Sequence, residues 1–369
     1  LPSQLKKSCS IVEQLLLFFL KRIQTMKNIK IPIPNKSNHL IKFVLSLLLC
    51  TSFFSVSAQV FPDDVWGVYT WASYNSNEVT PAKTPFVKGG PIILKWAKLE
   101  PKNGEFEFDK QLGTKLEQLY TDGYYTNVLI WVAFSTKSVT ETDTVWANTP
   151  KWIFHEGGVP LVAFPPKLNA LGEDVTHYFP YYLHENYKFY FHRMITEFGK
   201  YIKGLPAHLR ERIVFVQSCE GSTGDVKGYK GDPIDNQYDI SNKQWSDFRI
   251  ETWEKYVEAL SQDGELLVPL LTNSDSNEED QYNWMLNNLP KAAGLKNGMF
   301  SHGYHISDMQ ERLRDFNKFR KAVEDQGKEF FARGEMDAEY KEYGWSTQNI
   351  PQALYWSGIY ATHCGLSLW

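Results

Sequence analysis

From Gln59 onward, short apolar segments alternate with longer amphipathic segments, and this alternation constrains the fold more than any other feature. Strands that alternate with helices favour a parallel sheet with helical crossovers. Seven strands are predicted, namely Val65–Trp71, Pro91–Trp96, Thr126–Phe134, Arg212–Ser218, Glu265–Thr272, Met299–His305 and Glu329–Arg333. The predicted helices are Lys110–Thr121, Asn186–Lys203, Gln244–Gln262, Glu279–Leu289, Asp308–Gln326 and Ile350–Cys364.

The end of the chain bears on the number of strands. Residues 365–369 fall where an eighth strand would start. We therefore expect an α/β protein with a (β/α)8 TIM barrel over residues 59–369, apparently truncated at the eighth strand. An exposed edge at strand one would then favour aggregation, and a longer chain would be more soluble. An open doubly wound sheet is the alternative, but no glycine-rich dinucleotide-binding motif follows the first strand.

The N-terminal region consists of two segments ahead of the predicted barrel. Residues 1–25 are a leader of doubtful origin that precedes Met26. Residues 26–58 combine a basic start, an apolar middle and small residues at the end, the pattern of a secretory signal peptide cleaved after Ala58. The apolar run is short for a membrane span. We expect a secreted or periplasmic protein without a membrane span, with an outer-surface lipoprotein acylated at Cys50 as the alternative.

The composition excludes some classes of partner and favours another. With 369 residues, 43% of them hydrophobic, the chain can bury a large core. A net charge of −4 provides no basic stripe, so nucleic acid is not an expected partner. Aromatic residues make up 15% of the chain, including 12 tryptophans. Flat aromatic rings stack well on sugar rings, although dense core packing explains part of this content.

Two glutamates end separate apolar runs. Glu220 closes the run that begins at Arg212, and Glu335 follows Phe331 and Arg333 in the last predicted strand. A retaining glycosidase needs two such carboxylates, one proton donor and one nucleophile, about 5–5.5 Å apart. The alternative for Glu220 is a strand-end carboxylate in an ion pair. Arg333 shares a strand face with Glu335 and could keep that carboxylate ionised.

The region of the second strand resembles a known group of enzymes. Pro91–Trp96, followed by Glu100-Pro101 and a run to Asp109, is similar to the corresponding segment of clan A glycoside hydrolases, including family 42 β-galactosidases. The resemblance extends from about Trp66 to Trp369. It implies a TIM barrel, with Glu220 as the acid/base and Glu335 as the nucleophile. The stretch that begins at Gln217 is similar to family 42-like enzymes of marine Bacteroidetes.

Further residues are expected to line a sugar-binding cleft. Tryptophans end strands one, two and three, and the clan places a stacking tryptophan on strand eight and a Tyr or His after strand six. Polar residues near other strand ends could contact hydroxyl groups. The predicted substrate-binding residues are Trp71, Trp96, Trp131, Gln217, Asn273, Tyr304, His305, Arg333 and Trp369. Barrel packing is an equal alternative for each tryptophan.

One residue departs from the clan pattern. Clan A enzymes usually have Asn directly before the acid/base, where it contacts the sugar 2-hydroxyl, but this chain has Cys219. A thiol is a poor replacement for that amide. Either Gln217 or another loop supplies the contact, or Glu220 is not the acid/base.

The expected function follows from these features. We expect a retaining glycoside hydrolase that cleaves β-glycosidic bonds of a polysaccharide or oligosaccharide, with a marine galactan such as agar, porphyran or carrageenan preferred. Sulfated substrates would require cations at the cleft, and Lys95, Lys227 and Arg333 are candidates. No cofactor is expected, and no zinc or EF-hand spacing indicates a metal. A non-catalytic glycan-binding barrel and a polysaccharide lyase are the alternatives.

Overall fold

The computed structural model describes residues 60–69, 87–133, 148–168, 174–221, 227–229, 231–272, 279–299, 310–335 and 366–368. All of them belong to one compact unit, Gln59–Trp369. The predicted leader and signal peptide lie outside the described residues, so both stay predictions. Among the helices described, none is long and apolar enough to cross a membrane.

Strands and short or long helices alternate through this unit. The strands are β1 (Val68–Tyr69), β2 (Val87–Gly89), β3 (Ile92–Lys95), β4 (Thr126–Trp131), β5 (Leu161–Leu168), β6 (Asp174–Pro180), β7 (Ile213–Gln217), β8 (Ser261–Gln262), β9 (Glu265–Leu266), β10 (Leu270–Thr272), β11 (Ala292–Met299), β12 (Glu329–Glu335) and β13 (Leu366–Leu368). The helices are α1 (Trp96–Leu99), α2 (Thr114–Asp122), α3 (Trp152–His155), α4 (Glu185–Gly204), α5 (Ala207–Arg210), α6 (Asn242–Leu260), α7 (Glu279–Asn288) and α8 (Gln310–Asp325).

Nine of these strands form one sheet that closes on itself. The order is β2-β1-β13-β12-β11-β10-β7-β4-β3, and its strand pairs are parallel. β2 and β3 are consecutive pieces of one barrel strand, because β2 pairs with β1 while β3 pairs with β4. A bridge between Gly89 of β2 and Tyr125, the residue directly before β4, closes the sheet. Only glycine fits there, since a Cβ on Gly89 would lie 1.7 Å from the Tyr125 carbonyl oxygen.

The eighth strand is present in this sheet. Leu368 of β13 pairs with Val68 of β1, and β13 also pairs with β12. Strand one therefore has its neighbour on this side, contrary to the exposed edge expected from the sequence. The architecture is a (β/α)8 barrel, as predicted.

Side chains alternate between the inside of the barrel and the surrounding helices. The inner cluster contains Phe215, Leu271 and Phe331, and Phe61 packs on the Phe331 ring from the segment ahead of β1, with ring centroids 4.9 Å apart. The outer cluster packs the sheet against the helices, chiefly through the buried face of α4 and the buried residues of α6. Strand parity thus determines whether a residue can reach the barrel axis.

The sixth strand was predicted in the wrong place. The sequence analysis put it at Met299–His305, whereas β11 runs from Ala292 to Met299. Its Ala-Ala-Gly start has low β-propensity, so the sequence pattern hides it. The barrel requires the glycine, because the Phe331 ring occupies the space beside Gly294. The predicted fifth strand, Glu265–Thr272, divides into β9, which forms a hairpin with β8, and the three-residue β10.

The long insertion after β4 contains an antiparallel hairpin of its own. β5 and β6 pair from Leu161–Pro180 to Leu168–Asp174. Phe164 and Phe179 of this hairpin form an edge-to-face pair, and both rings contact Tyr229 from the loop after β7. The hairpin therefore packs against the loop after β7.

Gly294→Ala tests the packing inside the barrel. The new Cβ would lie 2.4 Å from Phe331 Cζ, so we expect the free energy of unfolding to fall by about 1–3 kcal/mol through overpacking. Gly204→Ala is the control, because no atom lies within 4 Å of its added Cβ. That variant should be neutral or stabilised by up to about 1 kcal/mol. Urea denaturation measures both, and equal stability of the two variants would contradict this packing.

Candidate active site

A hydrogen bond crosses the inside of the barrel near the carboxyl ends of the strands. Arg333 of β12 donates from Nη1 to Oε1 of Gln217 on β7. β10 and β11 separate these two strands in the sheet, so the bond runs through the interior. Both side chains are buried, with exposed fractions of 0% and 1%. The structure therefore brings together two of the predicted substrate-binding residues.

A layer of side chains lies inside the barrel, two residues nearer the carboxyl ends of the strands than Gln217. We refer to this end of the barrel as its mouth. Gln217 is in register with Leu129, so Trp131 two residues later also faces inward, and Lys95 pairs with Trp131. On the other side, Lys296 pairs with the inward-facing Arg333. We call Lys95, Trp131, Lys296 and Arg333 the mouth layer. Trp131 is partly exposed, as a sugar-stacking residue would be.

Lys296 is the member of this layer that the sequence analysis missed. Its strand was not recognised, so its position in the barrel could not be inferred. Lys227, by contrast, does not belong to the layer. It is exposed in the loop after β7, where it lines a separate cavity of about 570 Å³ beside Trp245.

Glu335, the predicted nucleophile, is the last residue of β12. Its Cα is in register with that of Met299 at the carboxyl end of β11. This places Glu335 two residues beyond Arg333, at the barrel face where active sites of this fold form. Its side chain lies outside the described part of the structure, and the predicted separation of about 5–5.5 Å between the two carboxylates stays a prediction.

Glu220, the predicted acid/base, contacts the helix layer. It accepts a hydrogen bond from Trp253 Nε1 at 2.9 Å and one from Arg249 Nε at 3.2 Å, and both donors lie on α6. Its exposed fraction is 1%, and that of Arg249 is 0%. In this position the carboxyl group cannot reach a glycosidic oxygen. The contact is the ion pair that the sequence analysis kept as the alternative for Glu220.

The ion pair belongs to a larger buried network. Arg249 also donates to Gln281 of α7 at 3.1 Å, and Gln281 donates to Ser246 at 3.0 Å. Burial raises the pKa of Tyr256 well above its usual value, and electrostatic interactions with Cys219 and Glu220 raise it further. The network thus joins the end of β7 to the two helices that follow it.

Cys219, in the place of the clan asparagine, is a buried thiol. Its Sγ donates to the Gln217 carbonyl oxygen at 3.7 Å. This weak contact joins two residues of the same segment and does not reach another strand. Gln217, the residue proposed to compensate for the missing asparagine, is already hydrogen-bonded to Arg333.

Trp96 packs outside the barrel, which corrects its prediction as a sugar-stacking residue. Its exposed fraction is 0%, and its ring contacts Trp152, Tyr187 and Phe191. The indole Nε1 donates to Glu100 at 3.0 Å. Trp96 cannot stack on a sugar there.

Glu100 lies in the same segment, which resembles clan A glycoside hydrolases, and its side chain holds the local structure together. It accepts from the Gly104 backbone at 2.8 Å and from Arg193 of α4. Burial raises its pKa, and the hydrogen bonds from Trp96, Gly104 and Arg193 oppose that rise. The motif that resembles clan A enzymes therefore holds the loop after β3 against a helix.

Five of the predicted site residues lie outside the described residues, namely Trp71, Asn273, Tyr304, His305 and Trp369. Within the part of the chain that the structure describes, no group of three or more His, Cys, Asp or Glu side chains is arranged to hold a metal ion.

Comparison with known proteins supports the fold. No protein-family model and no curated protein matches the chain. Among solved structures, the catalytic domain of β-amylase from Paenibacillus polymyxa superposes with a TM-score of 0.50, at 9% identity, over 83% of this chain and 91% of its own. The shared fold is a (β/α)8 barrel. Endo-glycoceramidase II from Rhodococcus sp. matches with a TM-score of 0.47, at 10% identity, over 84% of this chain and 74% of its own.

Glu220→Ala tests the buried ion pair. The change removes the carboxylate that pairs with the buried Arg249, so we expect the free energy of unfolding to fall by about 3–5 kcal/mol. Glu105→Ala is the control, because it removes a carboxylate from an exposed ion pair with Lys102, 3.1 Å long. That loss should cost about 0–1 kcal/mol. Similar losses for the two variants in urea denaturation would show that the Glu220 pair does not hold the barrel to its helices.

Proposed function

We propose that the protein is a retaining glycoside hydrolase that acts on β-glycosidic bonds of a polysaccharide or oligosaccharide. The observation that carries the proposal is the hydrogen bond between Gln217 and Arg333 inside the barrel. It joins the ends of β7 and β12, and Glu220 follows β7 whereas Glu335 is the last residue of β12. A glycosidase of this kind requires two carboxylates near one cleft.

In the proposed reaction, Glu335 attacks the anomeric carbon and forms a glycosyl-enzyme ester. The glycosidic oxygen leaves with a proton from a general acid, and the same group later removes a proton from the water that hydrolyses the ester. Arg333, two residues before Glu335, supplies a fixed positive charge that favours the ionised nucleophile. Two displacements at one carbon restore its original configuration.

Glu220 is the proposed general acid, and its position sets a condition on that role. Its two oxygens accept from Trp253 and Arg249 on the helix side of the sheet. To act, the carboxyl group must leave these partners and turn toward the barrel mouth. If it stays in the ion pair, a different group donates the proton and Glu220 holds the strand end in place.

The proposed substrate is a marine galactan such as agar, porphyran or carrageenan. The similarity of the stretch from Gln217 onward to marine family 42-like enzymes supports this choice. A secreted or periplasmic location fits a polymer too large to enter a cell, and it rests on the predicted signal peptide of residues 26–58.

A glycan-binding barrel without catalysis is the second candidate. The burial of Glu220 in an ion pair favours it, because a barrel that only binds sugars needs no free proton donor at this strand end. Trp131 and the polar mouth layer would serve binding equally well.

Glu335→Gln separates the two candidates. For a hydrolase we expect the turnover number to fall by about 10³-fold or more, because the amide cannot form the ester, while affinity for oligosaccharides is kept. Glu329→Gln is the control, since Glu329 lies at the opposite end of the same strand and accepts from the Val60 backbone. Reducing-sugar release from a panel of galactans measures turnover.

Two results would contradict the proposal. One is turnover by Glu335→Gln equal to that of the unchanged protein. The other is oligosaccharide binding by the unchanged protein without hydrolysis of any polymer in the panel, which is the outcome expected of a glycan-binding barrel.

A further inference from the structure

We propose that the cavity beside Trp245, in the segment between β7 and α6, is an accessory subsite that binds a neutral sugar unit of the polymer. The inference rests on the proposed function and adds a second binding position to it. Trp245, the central residue of this cavity, was not a predicted site residue.

The cavity lies on the face of the barrel where active sites of this fold form. Its lining residues lie between Lys227 and Trp245, in the segment that leads from β7 into the first turn of α6. Segments that follow a barrel strand lie at the carboxyl ends of the strands. This segment begins directly after Glu220. A polymer chain bound at the mouth therefore lies on the same face of the barrel as the cavity.

The cavity has the size of a ligand site, and one of its walls is fixed. Its volume is about 570 Å³, within the roughly 300–1,000 Å³ typical of small-molecule sites. The Trp245 ring packs on Tyr182 and Phe248, with centroid distances of 5.2 and 5.3 Å. Tyr182 donates to the Gly228 carbonyl oxygen at 2.8 Å and so holds the loop. A wall that is fixed before binding lowers the entropic cost of association.

Two glycines allow the loop backbone to lie close to the indole. A Cβ on Gly228 would lie 3.0 Å from Trp245 Cζ3, and a Cβ on Gly221 would lie 2.8 Å from the Lys227 carbonyl oxygen. The indole nevertheless stays partly exposed and lines the cavity. The loop thus shapes the cavity around an aromatic side chain.

The polar side chains of the cavity suit hydroxyl groups. Asp232 and Asp239 line it and are exposed, and neither carboxylate has a hydrogen bond or an ion pair with another described residue. Asn242, the first residue of α6, adds an amide that both donates and accepts. Carboxylates are strong acceptors for hydroxyl donors. Trp245 and Ile240 supply apolar surface for the C–H groups of a sugar ring.

The charge of the lining favours a neutral sugar over an anionic one. Its described charged side chains are one cation, Lys227, and two anions, Asp232 and Asp239, which gives a balance of −1. Negative potential repels sulfate and carboxylate groups. A neutral agarose segment therefore fits this cavity better than a sulfated carrageenan segment.

Hydroxyl-radical footprinting of the Glu335→Gln protein tests the subsite, because that variant is expected to leave the polymer intact. The probes are a neutral agarose oligosaccharide and a sulfated carrageenan oligosaccharide. We expect the neutral probe to lower the oxidation of Trp245 at least about twofold, since a bound ligand covers most of its site. The sulfated probe should protect Trp245 less. Trp284 is the control, because it is partly exposed on α7 and does not line the cavity, so its oxidation should stay constant.

The joint substitution of Asp232→Ala and Asp239→Ala should weaken binding of the neutral probe about tenfold in calorimetry, since two acceptors are lost. Glu254→Ala is the matched control, because it removes an exposed carboxylate from α6 outside the cavity. That variant should bind the neutral probe as the parent protein does.

Unchanged oxidation of Trp245 with the neutral probe would overturn the inference, as would stronger protection by the sulfated probe or an affinity that survives the loss of both carboxylates. Hydrolysis of agarose without protection of Trp245 would overturn it while leaving the glycosidase proposal intact. Protection of Trp245 without hydrolysis of any polymer by the unchanged protein would support it and contradict the hydrolase.

Discussion

The hydrogen bond between Arg333 and Gln217 is the constraint on which the rest of the site depends. A buried guanidinium inside a barrel is costly unless it is hydrogen-bonded, and Gln217 supplies a partner from across the interior. Phe215 and Phe331 fill the barrel interior next to this bond, on the side away from the mouth. Gly294 has no side chain, so it leaves room for the Phe331 ring. The bond orients the ends of β7 and β12 relative to each other and places a fixed positive charge close to Glu335 in sequence.

The end of β7 divides its polar residues between two faces of the sheet. Gln217 faces the barrel interior, whereas Glu220 contacts Arg249 and Trp253 in the helix layer. Gln217 is the last residue of β7, whereas Glu220 lies three residues beyond the strand, and the two acceptors serve different purposes. One supports the mouth of the barrel, and the other attaches the strand end to α6. A reaction that used Glu220 would have to break the second attachment.

The sequence predicted most of the fold and part of the site. Strand–helix alternation was sufficient for the barrel, because parallel strands are strongly apolar and their helices are amphipathic. β11 was missed because its Ala and Gly residues reflect the space taken by Phe331, a contact distant in sequence. For the same reason Lys296 was not identified. Trp96 was misassigned because position at a strand end does not reveal which face a side chain takes, whereas its contacts with Trp152 and Phe191 do.

Trapping the covalent bond that Glu335 is proposed to form with the sugar tests the proposed mechanism most directly. The protein would be incubated with 2-deoxy-2-fluoro-β-galactosyl fluoride, whose glycosyl-enzyme ester hydrolyses slowly, and then digested for peptide mapping by mass spectrometry. The account predicts a single fluorosugar label on Glu335. A label on Glu220 or any other residue would contradict it, as would the absence of label on protein that hydrolyses β-galactosides.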